Sequence, residues 1–332
     1  MHLPAFEFVK PDSVGQTIAL LAEHGERAAL LGGGTDLLIA MRQRLVRPDV
    51  VIGTGALPEL KRFEVGADGG LVIGAGCRLT WLAEHPVLRS RFPSLAAAIR
   101  SVGSRHVRNA ATLGGNLNLP TRCWYTNQSE TWRLARPPCF KTNGDVCFVI
   151  RSARQCFALN SVDSAPALMT LNACVTIQGS GGTRVVPLTD FYRDDGLSPT
   201  VLTPAELVTE VHVPVHRARA AFIKVAQRAG LDYGLGTIAA AITGSNRCIS
   251  SARLVVGSVA SRPVVLQQSA RILEEGGLSA ETIEAAAEAA RADLGEITNL
   301  YSAPGYKRRL VRALVRRVLN AVRQQQPPTG DT

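Results

Sequence analysis

The spacing of hydrophobic and polar residues predicts alternating strands and helices over the first part of the chain. Residues 13–24 place apolar positions at helical spacing behind a serine, which predicts a short amphipathic helix that the serine caps. Apolar runs that end in glycine follow at residues 28–34, 49–55 and 69–76, and each predicts a strand. Residues 163–179 predict a helix and then a strand, so the overall pattern is that of an α+β protein.

The pattern changes near residue 218. Three strands at hairpin-like spacing are predicted over residues 219–228, 236–246 and 250–259. Two helices are predicted after them, over residues 279–294 and 303–326. In the second helix, apolar residues recur every fourth position with arginines between them, which predicts an amphipathic helix lying on the sheet.

Composition limits the class of protein. The 332 residues are 46% hydrophobic and 19% charged, which is typical of a globular protein with two or three domains. The first residues contain no basic segment leading into an apolar one, and no run approaches the roughly 20 apolar residues that a membrane span requires. We therefore expect a cytoplasmic location and no membrane association. The net charge is +10, but the arginines are spread out and no nucleic-acid motif accompanies them, which favours contact with an acidic protein over nucleic acid.

Two glycine motifs supply the first candidate chemistry. Residues 31–38 read LGGGTDLL, and residues 111–117 read ATLGGNL. Glycine lets the backbone adopt positive φ and approach a ligand closely, and successive N–H groups around such a turn bind anions. The two motifs are candidates for holding the two halves of a pyrophosphate, although each alone also fits an ordinary tight turn. Neither matches G-x-G-x-x-G or G-x-x-x-x-G-K-[ST], which disfavours NAD and simple ATP binding.

Five segments, taken in order, carry a family resemblance. They read GGGTDLL, RNAATLGGN, VDSAPALMTLNACV, ELVTEVHVP and FIKVAQRAGLD. In this order they resemble the FAD-binding medium subunits of the xanthine oxidase and carbon monoxide dehydrogenase family, over nearly the whole chain. The resemblance implies an α+β fold with a two-subdomain FAD-binding domain of the vanillyl-alcohol-oxidase-like type, then a C-terminal α+β domain with a three-stranded antiparallel sheet and helices. The implied parts are residues 1–55 and 56–216 for the two subdomains, with an insertion at about 120–160, then 217–325, and a tail at 326–332.

The resemblance also implies where FAD would bind. Its pyrophosphate is expected on the two glycine motifs, and Asp163 is expected near the flavin in a motif that the family usually writes Ser-Asp-x-x-Pro. Val162 replaces that serine, which removes one hydroxyl contact. Lys224 matches a lysine near the isoalloxazine ring, with a solvated strand residue as the alternative. The expected FAD-binding residues are Leu31, Gly32, Gly33, Gly34, Thr35, Asp36, Leu37, Ala111, Thr112, Leu113, Gly114, Gly115, Asn116, Asp163 and Lys224.

A cysteine-rich segment separates the second glycine motif from Asp163. Residues 121–156 contain four of the chain's seven cysteines, Cys123, Cys139, Cys147 and Cys156. Ordinary members of the family have a far shorter connection at this place, so the segment is an insertion. A loop of this length without a core of its own is unusual unless something inside it supplies order.

Three kinds of chemistry fit four cysteines at these spacings. Two disulfides are disfavoured in a reducing cytoplasm. Zinc sites usually pair their ligands as C-x2–4-C, and no such pair or histidine lies in the segment. A 4Fe–4S cluster accepts four widely spaced cysteines, and nearby aromatic residues would shield it from water, so the cluster is favoured and zinc stays as the alternative. Those aromatic residues are Trp124, Tyr125, Trp132, Phe140 and Phe148.

An FAD subunit with a cysteine-bearing insertion at this position resembles the β subunits of the 4-hydroxybenzoyl-CoA reductase branch of the family. This resemblance implies a 4Fe–4S cluster that passes electrons from reduced ferredoxin to FAD, then to two 2Fe–2S centres on a small subunit and to a molybdopterin cofactor on a large subunit, in a dimer of heterotrimers. There 4-hydroxybenzoyl-CoA loses its hydroxyl group to give benzoyl-CoA. The substrate site would lie on another chain, so no catalytic residue is expected on this one.

The charge of the insertion fits an acidic electron donor. Residues 121–156 contain six basic side chains and two acidic ones. Arg133, Arg136 and Lys141 are therefore candidates for docking ferredoxin, with a solvated basic loop as the alternative. Two other functions stay open: the FAD subunit of an oxidising molybdenum hydroxylase with an accessory metal site, and a zinc-bearing insertion that serves in docking.

Overall fold

The computed structural model describes residues 2–295, 297 and 303–325. It contains three sheets, and the first of them is parallel. This sheet has the order β1-β3-β2. The predicted helix near the N-terminus is confirmed, and Ser13 caps it because its hydroxyl accepts a hydrogen bond from the backbone N–H of Gln16. The elements of this part are β1 (Glu7–Val9), α1 (Val14–His24), β2 (Ala28–Leu31), α2 (Leu37–Arg42) and β3 (Val50–Gly53).

The second sheet has five antiparallel strands in the order β4-β5-β8-β6-β7. Its strands are β4 (Phe63–Val65), β5 (Leu71–Gly74), β6 (Cys174–Gly179), β7 (Gly182–Pro187) and β8 (Glu206–Val213). One core of apolar side chains lies between this sheet and the helices that pack on it. The helices are α3 (Leu79–Glu84), α4 (Pro86–Arg91), α5 (Pro93–Arg100), α6 (Arg105–Ala110), α7 (Leu113–Leu117), α8 (Glu130–Leu134) in the insertion, α9 (Ser164–Thr170) and α10 (Leu188–Phe191).

The third sheet is antiparallel, with the order β12-β11-β10-β9. The three predicted strands are present, and the two-residue β12 extends them to four. Helix α11 was not predicted. A second apolar core lies between this sheet and its helices, and α13 buries one apolar face in it as expected. The elements are β9 (Arg219–Val225), β10 (Gly236–Gly244), β11 (Ile249–Gly257), β12 (Val264–Val265), α11 (Gln267–Gly276), α12 (Ala280–Asp293) and α13 (Pro304–Arg323). The expected tail at 326–332 lies outside the described residues.

The second and third sheets meet through two helices. Helix α5 packs on β9, and α9 packs on β10 and β11. This junction brings the start of α9 to β9, although more than fifty residues separate them along the chain. Among the described helices, none has both the length and the apolar character needed to cross a membrane.

Candidate functional site

The two glycine motifs lie against each other, although they are distant in sequence. A Cβ atom added to Gly33 would lie 2.0 Å from the carbonyl oxygen of Ala110, and one added to Gly32 would lie 2.9 Å from Oγ1 of Thr112. Gly34 has φ +72°, which L side chains rarely adopt. Glycine is therefore required both for the turn and for the close packing of the two motifs.

The two motifs differ in how their backbone N–H groups are used. In the described part of the chain, no hydrogen-bond acceptor faces the N–H groups of residues 32–35. The second motif is instead the short helix α7. Its N–H groups are engaged, with Gly114 donating to the Ala75 carbonyl at 2.7 Å and Gly115 donating to Thr112 Oγ1 at 3.1 Å. The N–H groups of Gly114 and Gly115 are therefore not open to an anion, because a neighbouring strand end and the N-cap residue accept from them. The role of this motif in FAD binding stays a prediction.

Asp163 and Lys224 form a buried ion pair at the junction of the sheets. Lys224 Nζ lies 2.6 Å from Asp163 Oδ2, and the two side chains are 11% and 6% exposed. The same ammonium group donates to the carbonyl oxygens of Ser101 at 3.0 Å and Asp232 at 3.1 Å. Lys224 is therefore not a solvated strand residue, since all of these partners hold it inside the junction.

The carboxylate of this pair has an unused acceptor atom. Asp163 Oδ1 is buried and has no hydrogen-bond partner among the described residues. Burial raises the pKa of Asp163 from 3.8 to about 6, although Lys224 opposes the shift. A buried carboxylate oxygen without a partner costs free energy, so it marks a position where a ligand N–H or O–H group would be favourable.

Arg122 connects the first glycine motif to the insertion, and the sequence did not single it out for this role. Its Nη1 atom donates to Asp36 Oδ1 at 3.0 Å, and its guanidinium group lies 4.5 Å from the ring centroid of Tyr233. Burial raises the pKa of Asp36, and the charge of Arg122 opposes that rise. The only sequence signal was a basic residue next to Cys123.

The insertion is fastened at both ends. Arg122 and Leu159 exchange two backbone hydrogen bonds of 2.8 Å, which close the loop between them. Within the loop, the N–H of Gly196 donates to the Cys156 carbonyl at 2.8 Å, and Arg133 Nη2 donates to the Arg44 carbonyl at 3.0 Å. These contacts tie a segment of little regular structure to the parent fold.

The four cysteines of the insertion line one small pocket. Cys123, Cys147 and Cys156 are 8%, 8% and 6% exposed. Apolar side chains complete most of the wall, and Lys141 contributes a cation. The other lining residues are Tyr125, Thr126, Phe140, Val146, Phe148, Val149 and Ala158.

Two donors point at sulfur atoms of this pocket. Thr142 Oγ1 donates to Cys139 Sγ at 3.7 Å, and the N–H of Ile150 donates to Cys147 Sγ at 3.5 Å. Burial raises the pKa of the Cys156 thiol to about 11 although Lys141 opposes the shift, so the thiol is neutral at physiological pH unless it binds a metal. Among the described residues, no three His, Cys, Asp or Glu side chains are placed to hold one metal ion.

Two of the three basic residues considered for docking face the protein itself. Lys141 Nζ donates to the Thr121 carbonyl at 2.9 Å, and Arg133 Nη1 donates to the Gln128 carbonyl at 2.5 Å. Arg136 is exposed and stacks on Trp132, with 4.2 Å from its guanidinium carbon to the ring centroid. Arg133 and Lys141 thus spend donors on carbonyl oxygens of this chain, and their role in docking ferredoxin stays a prediction.

Two known protein families match this chain. Residues 4–216 match the family described as the FAD binding domain in molybdopterin dehydrogenase. Residues 221–322 match the carbon monoxide dehydrogenase flavoprotein C-terminal domain. The chain is an FAD-binding medium subunit of the xanthine oxidase and carbon monoxide dehydrogenase family. It is accordingly a subunit of an oxidoreductase that binds FAD.

Relatives of this medium subunit serve several named enzymes. The aldehyde oxidoreductase FAD-binding subunit PaoB of Escherichia coli strain K12 is 33% identical over 284 residues, which cover 82% of this chain and 87% of the relative. The nicotine 6-hydroxylase medium subunit of Paenarthrobacter nicotinovorans is 28% identical, with 96% and 98% covered. A solved carbon monoxide dehydrogenase of Hydrogenophaga pseudoflava superposes with a TM-score of 0.81 at 26% identity and covers 97% of this medium subunit and 98% of its own chain.

Proposed function

We propose that this chain is the electron-transfer subunit, carrying FAD and a 4Fe–4S cluster, of a molybdenum enzyme that reduces 4-hydroxybenzoyl-CoA to benzoyl-CoA with electrons from reduced ferredoxin. The observation that carries the proposal is the convergence of Cys123, Cys139, Cys147 and Cys156 on one apolar pocket. This pocket lies in an insertion whose first residues contact the glycine motif. A large molybdopterin subunit, a small subunit with two 2Fe–2S centres and a cytoplasmic location belong to the same proposal.

We call the first glycine motif together with the Asp163–Lys224 pair the FAD cleft, and its residues fit FAD. The free N–H groups of residues 32–35 suit a pyrophosphate, and Thr112, the N-cap residue of α7, lies beside Gly32. The buried Oδ1 atom of Asp163 suits an N–H or O–H group of the flavin. Lys224 holds that carboxylate in place, so we assign it to orienting Asp163 beside the flavin.

The residues of the pocket fit an iron–sulfur cluster better than zinc. Zinc–sulfur bonds of about 2.3 Å would hold four sulfur ligands within about 4 Å of one another. Among the described residues, no three ligand side chains are placed to hold one metal ion, although all four thiols line one pocket. A cluster gives each cysteine its own iron and so accepts wider spacing. The apolar wall and the donors from Thr142 and Ile150 are the features that tune such a cluster.

Bound FAD exchanges one or two electrons and a bound 4Fe–4S cluster exchanges one, so the two together would let the chain relay single electrons. The chain's own residues would hold these two groups and shield them from water. Aromatic side chains exclude water from the cysteine pocket, and Arg122 fixes the base of the insertion to Asp36 and Tyr233. Removal of an aromatic hydroxyl group needs strongly reducing electrons, which favours a low-potential ferredoxin as the donor.

The first experiment measures iron and acid-labile sulfide in anaerobically purified protein. We expect about four of each per chain and an EPR signal after reduction. The double substitution Cys139→Ser and Cys147→Ser should remove both, whereas Cys248→Ser, an exposed cysteine outside the insertion, should change neither. Zinc without sulfide, or a cluster retained in the double variant, would refute the cluster assignment.

A second candidate is the FAD subunit of an oxidising molybdenum hydroxylase, and similarity to the medium subunit of nicotine 6-hydroxylase favours it. The assembled enzyme separates the two. Benzoyl-CoA formation with reduced ferredoxin or viologen supports the reductase. Its absence in an enzyme that contains the cluster and oxidises a substrate supports the hydroxylase.

A further inference from the structure

A basic pocket of about 480 Å³ opens on the side of the second sheet's helices, outside the cleft and the cysteine pocket. It lies between α3, the end of α5 and α6. Four of its side chains are arginines, and only one is acidic. Its lining residues are Thr80, Ala83, Glu84, Arg89, Arg100, Arg105 and Arg108.

Backbone carbonyls hold two of the arginines in place. Arg108 Nη1 donates to the carbonyl oxygens of Val102 at 2.8 Å and Gly103 at 3.4 Å. Arg100 Nη2 donates to the Ala83 carbonyl at 3.3 Å. Each guanidinium group has five N–H donors, so most donors of these two groups stay available. The positions of the charges are therefore set before any ligand arrives, which lowers the entropic cost of binding one.

Only part of the positive charge of the pocket is neutralised from within. Arg105 Nη2 lies 3.3 Å from Glu84 Oε1. Among the described residues, no carboxylate forms a salt bridge with the other three arginines. Burial lowers the pKa of Arg108, and the charges of Arg100 and Arg105 lower it further. Like charges held together in this way repel one another, and binding of a multivalent anion relieves that repulsion and is therefore favourable.

The pocket also contains an unused hydroxyl group. Thr80 Oγ1 is buried and has no hydrogen-bond partner among the described residues. A hydroxyl can donate to an anionic oxygen, and a buried one without a partner costs free energy. The pocket therefore offers a neutral donor beside several cationic ones.

We propose that this four-arginine pocket is a second binding site, which takes a small phosphate-bearing anion of the polyphosphate or nucleotide class. Guanidinium groups pair with phosphate oxygens through two parallel hydrogen bonds, and pockets for small ligands typically measure about 300–1,000 Å³. The recess favours a small ligand over a flat protein surface. The loop that holds Arg108 also contains Ser101, whose carbonyl oxygen accepts from Lys224, so the site adjoins the flavin side of the chain.

The test titrates pyrophosphate into the full chain saturated with FAD, so that the glycine motif is filled, and measures heat at about 0.15 M salt, where surface charges are screened. We expect saturable binding. The double variant Arg100→Gln and Arg105→Gln changes two exposed side chains and should weaken binding at least about tenfold, because charge-assisted hydrogen bonds are lost. The control Arg217→Gln and Arg253→Gln removes the same charge from exposed positions outside the pocket and should bind as the parent does.

Three results would overturn the proposal. They are no saturable pyrophosphate binding, equal binding by the Arg100 and Arg105 variant, and equal binding of citrate, which would indicate a general surface for carboxylate-rich partners. A flavin absorption spectrum that stays unchanged in the variant shows that FAD is still held. The outcome is therefore independent of the cysteine pocket and of the proposed electron-transfer function.

Discussion

Replacement of Gly33 by alanine tests whether the close packing of the two glycine motifs builds the FAD cleft. The added Cβ atom would lie 2.0 Å from the Ala110 carbonyl oxygen and 2.5 Å from its carbonyl carbon. Side-chain carbons essentially never approach other heavy atoms closer than 3.0 Å. The motifs must therefore separate by about an ångström, and because both partners are backbone, no side chain can rotate to relieve the overlap.

The free-energy cost of this substitution can be taken from the cost of overpacking in protein interiors. Forcing an extra carbon into a packed site costs about 1–3 kcal/mol. If FAD binding requires the motifs in their present arrangement, that strain appears as weaker binding. At about 1.4 kcal/mol per tenfold, we expect FAD affinity to fall about 5- to 150-fold.

The assay is a fluorescence titration of the FAD-free chain with FAD, accompanied by the thermal midpoint of each variant. Gly181→Ala is the matched control, because no heavy atom lies within 4 Å of its added Cβ atom. The control should bind FAD as the parent does. An affinity within twofold of the parent for Gly33→Ala, with an unchanged midpoint, would refute the conclusion that this contact shapes the cleft.

Three further predictions concern individual side chains. The pKa of Asp163 is raised from 3.8 to about 6, so the folded FAD-free chain binds this proton more tightly than the unfolded chain does. The resulting stabilisation is complete below pH 3.8, is lost as pH rises through 6, and amounts to about 3 kcal/mol. Asp163→Asn should abolish this pH dependence, measured by urea unfolding at pH 4 and pH 7. Arg122→Gln removes a charged hydrogen bond to Asp36 and should lower the free energy of unfolding in guanidinium chloride by about 1–3 kcal/mol; an unchanged value would contradict this role. On the proposed cluster, Thr142→Val removes a donor to Cys139 Sγ and should lower the reduction potential in an EPR-monitored titration, whereas Thr142→Ser should retain it.

Local features of the fold were predictable because they depend on neighbouring residues. Ser13 caps α1 through a bond to a residue three positions away. Strands β9, β10 and β11 follow from apolar runs at hairpin-like spacing. Helix α11 escaped prediction because it directly follows the two-residue strand β12, with no clear break in the pattern between them.

The site was only partly predictable. The glycine motif at residues 31–38 and the four cysteines were recognisable from residue type and spacing alone. Their surroundings were not. The helical form of the second motif depends on carbonyl groups near β5, and Lys141, which looked like a surface charge, faces the thiols instead. A basic residue in a loop carries no local signal that tells a surface position from an internal one.

The amino-acid sequence by itself determined which chemical groups this protein carries: two runs of glycine, four clustered thiols, and an aspartate and a lysine in recognisable motifs. These are properties of single residues and their neighbours. Only the tertiary structure decided which groups meet. Gly33 packs on Ala110, Asp163 pairs with Lys224, and Arg122 reaches Asp36 across 86 positions of chain. Such contacts depend on how three sheets and their helices bury apolar surface together, and no local pattern encodes that arrangement.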